Sequence, residues 1–596
     1  MANILGLKVT SHDTGAALIF GDRVIAISEE RLNRVKHSRN MFPEKAIDYC
    51  LAAFKLSPAD IDLVVLDQVG SRAESPSERI WKRNVGERFS KAALHVINHH
   101  DAHAASVFFA SPFQEAAVLI VDGSGEKIHS HLGMIGTETE TLYRGEGNVV
   151  AEIQKTVHVR RRLRFPYSMG IGKLYSLLSE GYLNFGIYNE GKMMGLAPYG
   201  DDRVLREFPF DRWFLEKNGH IICNPHVTFP GIERFVGTKK MRHAIKESIF
   251  RTLEKWIFWL LDMCSGRKKE FFLAPDCFKP IVLTKPARQK DGSPLDPYYT
   301  AVAYAGQKVL EEVMVLFGKK VKAASGSDNL CLAGGVGLNI DANKRFLDDV
   351  GFKHIFVQPA ASDTGVALGC ALWGAHMILH LPRFYKMDSA SLGRPYSETE
   401  IEVALQERPQ GISFRRSEHV ASDAAKLIAK GNIIGWFQGG SEYGPRALGN
   451  RSILCDARVP DMKDIVNKRV KHREAWRPFA ASILAERQRE WFELGESSPF
   501  MLLAAQVVKE KQKLIPSVVH VDGSCRIQAV TSEANLPYYQ LLKAFEKETG
   551  VPLFLNTSFN DAGEPIVETP KDAISCFFKT DLDCLVIGNY IVTKSL

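Results

Sequence analysis

The sequence predicts an α/β protein whose first part contains duplicated halves and whose second part is a further α/β domain. Three observations predict this. A strand, a turn and a returning strand open the chain, and a second unit built the same way starts at Ala116. Helical and strand patterns then alternate up to about residue 374. Past a loop-like stretch at about 380–395, a fresh alternation begins with "IEVALQE".

In the first unit "ILGLKV" leads through the polar turn "TSHDTG" to "AALIF", then "GD" and "VIAISEE". In the second, "AAVLIV" leads through "DGSGEK" to "HLGMIG", then "TETE" in the place of the turn and "LYRGEG". Repetition of the unit implies two halves facing each other across a cleft. Turns of Gly, Ser, Thr and Asp can present backbone N–H groups to phosphate oxygens. Between 160 and 200 the pattern becomes helical, ending in "NEGKMMGLAPYG". An amphipathic helix is expected at 241–262, a basic, proline-punctuated loop or lid at 264–298, and a helix at 299–317. Strands then run into "LCLAGGVGLNIDAN" and "HIFVQPAASDTGVALGCALWG".

At 596 residues the chain is long enough for two to four domains. Its 45% apolar and 24% charged content is that of a globular protein, and a net charge of +7 does not call for a nucleic-acid partner. The ten cysteines are scattered without a CxxC pair, as expected of reduced thiols rather than a disulfide framework or zinc ribbon. The N-terminus lacks a signal-peptide pattern, and "WIFWLL" is too short to span a bilayer. A cytoplasmic protein with no membrane partner is the expectation.

The stretch "VINHHDAHAASVFF" places His99 and His103 four residues apart, so on a helix their rings leave from one face and can share an ion. His100 points elsewhere. Asp122 ends the "AVLIV" strand and Asp363 follows the "HIFVQP" strand in "ASDTG". Carboxylates at the carboxyl ends of strands lie where α/β sheets bind ligands. Two His and two Asp suit Fe(II), Mn(II) or Zn(II).

The second domain carries Arg446 and Arg451 in "GPRALGNRS", Lys471, Arg473 and Arg477 in "KHREAWRPFA", and Arg526 in "GSCRIQ". These cations sit among Gly, Pro, Trp and Phe rather than on a charge-mixed helix. The guanidinium fork suits phosphate and carboxylate, and six cations fit a nucleotide triphosphate together with a second anionic substrate. "LNTSFN" adds Asn556, Thr557 and Ser558, with Asn560, as donors to ribose or phosphate.

In order along the chain, "SHDTGAAL", "EERLNRVKHS", "HHDAHAAS", "VDGSG", "NEGKMMGLAPYG", "CLAGGVGLN", "SDTG", "GPRALGNRS", "REAWRPFA" and "LNTSFN" resemble the O-carbamoyltransferase family of nodulation and antibiotic biosynthesis. The resemblance covers essentially the whole chain. It implies an actin-like ATPase domain of the kind found in tRNA threonylcarbamoyl transferase (ASKHA, Kae1-like) over 1–385. A YrdC-like α/β domain follows over 395–580, with a final strand at 581–596 whose domain is left open. It further implies ATP-dependent O-carbamoyl transfer: carbamoyl phosphate and ATP give carbamoyl adenylate in the second domain, and the carbamoyl group then passes to a hydroxyl-bearing small molecule in the first. The implied metal ligands are His99, His103, Asp122 and Asp363, with Fe(II) favoured and Mg accompanying ATP. His12 takes the role of transfer-site histidine, and Lys36 lies near the bound phosphate. Gly123, Ser124, Gly125, Gly334, Gly335 and Asn339 are the implied nucleotide contacts of the first domain. The implied carbamoyl-phosphate and ATP contacts come from Arg446, Arg451, Lys471, Arg473, Arg477, Arg526, Asn556, Thr557 and Ser558. Glycine stands where "GGVGLN" more usually has alanine, and 205–300 matches no motif of the family.

A tRNA-modifying fusion making threonylcarbamoyladenosine is the main enzymatic alternative, and it would call for a strongly basic face. A non-catalytic ATP-binding regulator is another, and it would need neither the tetrad nor the cation cluster. A homodimer is one arrangement open to the chain.

Overall fold

The computed structural model describes residues 2–68, 75–129, 135–160, 169–217, 219–230, 271–272 and 278–594. Two compact units divide the chain: Met1–Glu126, Thr141–Gln154 and Glu311–Leu596 form one, Lys127–Glu140 and Lys155–Leu310 the other.

β1 (Ile4–Lys8), β2 (Gly15–Phe20), β3 (Arg23–Ser28), β4 (Leu63–Gln68) and β5 (Ala93–Asn98) form a five-stranded sheet in the order β3-β2-β1-β4-β5. β1 and β2 are antiparallel, whereas β1, β4 and β5 run parallel. The central strands "ILGLK" and "LVVLD" are buried throughout, as strands covered on both faces must be. A second sheet contains β6 (Glu115–Val121), β7 (Ile135–Glu146), β8 (Val149–Arg160), β9 (Asn329–Ala333) and β10 (His354–Val357). Its order, β8-β7-β6-β9-β10, repeats that of the first sheet position by position, with β6, β9 and β10 parallel. The duplication expected from the two hairpin units is therefore a duplication of topology.

One detail differs from expectation. "TETE" is not a turn but the middle of β7, because alternating β-branched Thr suits a pleated strand and Glu138 and Glu140 are buried there. The turn falls instead at Gly147, whose φ is 56°. The helix expected at 241–262 lies outside the described residues, as does most of 264–277. The helix expected at 299–317 runs from Pro297 to Ser325.

Two helices carry the site. α1 (His99–Phe108) starts directly after β5, with Asn98 as its cap: the Asn98 side chain accepts the N–H groups of His100 and Asp101. α2 (Val366–Trp373) crosses α1 and packs on β1. Small residues make both approaches possible. A Cβ on Gly369 would stand 1.8 Å from the Ala102 carbonyl oxygen, and one on Gly6 would stand 2.2 Å from that of Ala367.

The remainder of the first unit holds a ten-stranded sheet with its own apolar core. Its strands include β11 (Ile434–Phe437), β12 (Arg451–Cys455), β13 (Ala480–Leu484), β14 (Ser524–Val530), β15 (Leu553–Ser558), β16 (Cys584–Ile587) and β17 (Tyr590–Lys594). These run β17-β16-β11-β12-β15-β13-β14, with Ile412–Arg416 outside β17 and Ala504–Val507 outside β14. The final strand thus belongs to this sheet. The N-terminal segment is tied to it: Arg31 donates to the carbonyls of Glu442 (3.2 Å) and Gly444 (2.8 Å), and Arg34 to those of Pro565 (2.8 Å) and Ile566 (2.7 Å). In the second unit, Phe214–Lys217 and His220–Cys223 form a hairpin, and Arg288 caps carbonyls of Leu183 and Gly292.

The eight described cysteines are all free and buried. Among the described residues no helix is long and apolar enough to cross a membrane.

Gly369→Ala is expected to cost at least about 2 kcal/mol, because the added methyl must push one helix backbone away from another rather than displace a flexible side chain. Urea unfolding followed by circular dichroism checks this, with Ala367→Gly on the same helix as the control for helix propensity.

Candidate metal centre and arginine cluster

The structure brings His99, His103, Asp122 and Asp363 together. All four are buried, and one donor atom from each lies within 4.8 Å of the others. They come from the ends of parallel strands: His99 follows β5 directly, Asp122 follows β6, and Asp363 opens the short turn before α2. The helical period supplies His103 one turn beyond His99, with the two rings edge-on at 4.7 Å between centroids.

His99 is held by a residue that the motif does not include. Its Nδ1 lies 3.1 Å from an oxygen of Asp67, at the end of β4, so Nε2 is turned towards the tetrad. From Nε2 the distances are 3.5 Å to Asp363 and 4.0 Å to Asp122, and His103 Nε2 is 3.9 Å from Asp363. Among the described residues, His99 Nε2 and both nitrogens of His103 are buried without a hydrogen-bond partner. Asp122 accepts the N–H groups of Gly335 (3.0 Å) and Ser124 (3.3 Å). Buried imidazole nitrogens beside two carboxylates are a donor set that could hold a divalent cation once the proton on His99 is displaced. His100 points away, to Thr141 at 2.7 Å.

Lys8 completes the surroundings. It ends β1, is fully buried, and lies 3.3 Å from Asp67 and 3.4 Å from Asp363. Burial works against its charge, but the two carboxylates outweigh it and raise its pKa. Asp363 is held well below the usual carboxylate range despite its burial, by Lys8 and the imidazole of His99. Burial also opposes a charge on His99, yet Asp363 and Asp67 push it up to about 10. His12, in the turn between β1 and β2, bonds Asp13 at 3.0 Å and reaches within 3.9 Å of Asp363. Its burial disfavours the imidazolium, but Asp13 and Asp363 raise the pKa overall. Asp13, with φ of 51°, also bonds His37 at 2.8 Å.

The nucleotide contacts expected around this centre are placed differently. The amides of Gly335 and Ser124 are occupied by Asp122. Gly334 is required by a φ of 90° and by Val121, whose carbonyl oxygen would lie 2.2 Å from a Cβ. Asn339 caps the helix Ile340–Asp348. Gly123 and Gly125 lie in the turn after β6, Gly123 with open space beside it. Two amides of the glycine turns thus hold the Asp122 carboxylate.

In the ten-stranded sheet unit, Arg446, Arg473, Arg477 and Arg526 gather, each half-buried. Loss of hydration lowers all four pKa values first; repulsion from neighbouring arginines lowers Arg446, Arg473 and Arg526 further, with Arg526 brought to about 10, whereas Glu474 partly offsets the effect at Arg477. Among the described residues the Nε atoms of Arg446 and Arg526 are buried without a hydrogen-bond partner. Among the described residues Glu474, 3.8 Å from Arg477, is the carboxylate within ion-pair reach of the four.

Arg451, Lys471 and Asn556 do not join that cluster as free ligands. Arg451 is fully buried, its guanidinium stacks 3.7 Å above the Phe437 ring, and it donates to the carbonyls of Gln438, Gly439, Asn450 and Glu568. Lys471 donates to four oxygens of Ser558 and Asn560. Asn556 donates to Ala447 and Ser482. Thr557 is buried beside it on β15, and Ser558 is half-buried at the strand end. These residues frame the site and spend their donors doing so. Lys36 is exposed on the turn Lys36–Ser38, near enough for its charge to act on Lys471. Sequence reading missed Lys8 and Asp67, although a lone charge at the end of each buried strand was the available signal.

The family profiles described as Carbamoyltransferase N-terminus and Carbamoyltransferase C-terminus match residues 3–83 with 78–372, and 425–594. An uncharacterized protein of Synechocystis sp. is 34% identical over 659 residues, covering 100% of this chain and 97% of that one. Nodulation protein NolNO of Sinorhizobium fredii is 34% identical over 609 residues, covering 98% of this chain and 79% of that one. Among solved structures, HypF of T. kodakarensis aligns with a TM-score of 0.33 at 12% identity, covering 65% of this chain and 48% of that one.

Titrating metal-free protein with Zn(II) at pH 7.5 in weak buffer is expected to release about one proton per ion bound, because a cation on His99 Nε2 must displace the proton that Asp363 and Asp67 favour there. A pH-stat measures it, and His99→Ala with His103→Ala should release none.

Proposed function

Because the chain belongs to the carbamoyltransferase family, and is a carbamoyltransferase, we propose that it makes carbamoyl adenylate from carbamoyl phosphate and ATP and passes the carbamoyl group to a hydroxyl of a small natural product. The observation that carries the proposal is that one compact unit holds both a His₂Asp₂ tetrad with unsatisfied imidazole nitrogens and a cluster of guanidinium groups that carboxylates do not neutralise. The first suits a divalent cation, and the second suits substrates carrying several negative charges.

In this scheme residues 395–580 form the adenylate and residues 1–385 perform the transfer. Arg446, Arg473, Arg477 and Arg526 bind the phosphates and offset charge as ATP is cleaved; their mutual repulsion in the empty site is relieved when the anions arrive. Mg accompanies ATP there. His99, His103, Asp122 and Asp363 would hold the resident cation, Fe(II) being favoured and Mn(II) or Zn(II) suited. When bound, it supplies Lewis-acid stabilisation of negative charge on the adenylate phosphate. Asp67 fixes the His99 tautomer, and the amides of Gly335 and Ser124 fix the Asp122 carboxylate. His12, in its neutral form, accepts the proton of the attacking hydroxyl. Lys36 lies on the segment that Arg31 and Arg34 fasten to the Glu442–Gly444 and Pro565–Ile566 loops, a position suited to a phosphate passing between the two sites. Carbamoyl adenylate hydrolyses readily, so closed transfer would protect it.

Two activities that separate by mutation are the test. His99→Ala is expected to keep carbamoyl-phosphate-dependent release of pyrophosphate from ATP while lowering transfer to a hydroxyl acceptor at least a hundredfold. Arg446→Ala combined with Arg526→Ala should abolish both. Pyrophosphate release and mass spectrometry of an acceptor panel read the two steps. Equal loss of both activities in His99→Ala would overturn the two-site assignment, and threonine-dependent adenylate formation would point to the tRNA-modifying alternative.

A further inference from the structure

We propose that Lys8 is a built-in counter-ion of the tetrad, holding the empty site together and competing with the cation that the tetrad takes. This rests on the metal reading of His99, His103, Asp122 and Asp363. Lys8 Nζ has four oxygen neighbours: the Thr10 carbonyl at 3.0 Å, the Thr10 hydroxyl at 3.3 Å, Asp67 Oδ2 at 3.3 Å and Asp363 Oδ2 at 3.4 Å. It reaches no solvent.

The two oxygens of Asp363 divide their work. Oδ2 faces Lys8 and, at 3.9 Å, His12 Nε2. Oδ1 faces His99 Nε2 at 3.5 Å and His103 Nε2 at 3.9 Å. A cation held through those imidazoles would therefore share Asp363 with the ammonium, one oxygen each. Asp67 also links the two, one step back and through a single oxygen, since its Oδ2 faces both Lys8 and His99 Nδ1, the latter at 3.1 Å. On two sides the fixed positive charge is thus separated from the cation position by one or two side chains.

Two opposed consequences follow. Without an ion, Asp67, Asp122 and Asp363 are three buried carboxylates in one neighbourhood, and the ammonium offsets their repulsion. With an ion in place, the same ammonium repels it across a poorly screened distance. Lys8 therefore stabilises the empty site and loosens its grip on the ion, which keeps the cation exchangeable. A residue that only filled space would affect the empty and loaded protein alike.

Lys8→Met keeps the length of the side chain and removes its charge. In the full chain the metal-free variant is expected to melt below the wild type, to gain more in melting temperature than the wild type does on saturation with Mn(II), and to bind Mn(II) about tenfold or more tightly by calorimetry. Lys8→Met with Asp67→Asn removes one charge of each sign, and should return both the melting temperature and the affinity towards wild-type values. That pair also serves if Lys8→Met alone does not fold. Equal loss of melting temperature in the empty and loaded states with unchanged affinity would make Lys8 a simple strut and overturn the proposal, as would weaker Mn(II) binding by Lys8→Met or no recovery in the pair. A wild type that binds no Mn(II) would overturn the metal reading and this proposal together, an outcome distinct from intact wild-type binding that Lys8→Met leaves unaltered.

Discussion

The structure depends on how it compensates three carboxylates that it takes out of water. Asp67, Asp122 and Asp363 are all buried at the carboxyl ends of parallel strands. A buried carboxylate left unpaired costs several kcal/mol, so each must be met by a cation, an N–H group or a bound ion. Lys8 meets two of them, the amides of Gly335 and Ser124 meet the third, and His99 and His103 stand ready on the remaining side. The protein thus compensates these carboxylates with its own groups and leaves the imidazole side of Asp363 as the side on which a cation could be held.

Duplicated topology is what brings those groups together. The five-stranded sheet and five strands of the seven-stranded sheet share one strand order, each ends three parallel strands in the same direction, and polar residues accumulate where the backbone leaves the sheet. The crossing of α1 and α2 then decides the final distances. Because Gly369 lets the two helices touch at Ala102, Asp363 at the start of one helix arrives beside His99 and His103 on the other. Backbone contact at a glycine is rigid, and so is the separation of the donor atoms that it sets.

The ten-stranded sheet solves the opposite electrostatic problem. Arg446, Arg473, Arg477 and Arg526 are positive charges brought together with, among the described residues, Glu474 as the carboxylate in ion-pair reach, a configuration that a bound anion would relieve. The loops that carry them are held by other means. Glu442 accepts the N–H groups of Leu448 and Asn450 just after Arg446, and Arg31 bonds the backbone just before it. Charged residues with spent donors therefore build the frame around the four clustered arginines.

Much of this was legible in the sequence. Hairpin units separated by glycine turns show the α/β class and the duplication, the four-residue spacing of His99 and His103 puts two rings on one helical face, and Asp122 stands directly after an apolar strand. Those signals are local, because the periods of helix and strand depend on near neighbours in the chain. The tertiary structure alone decided which charges were free. Arg446 and Arg451 stand five residues apart in one motif, yet the first faces other cations while the second is sealed against Phe437 and four carbonyls. Lys8 and Asp67, far apart in sequence and outside any histidine motif, became neighbours only when β1 paired with β4. Desolvation and ion pairing act through space rather than along the chain, so the charge state of a site is fixed by folding and not by spacing.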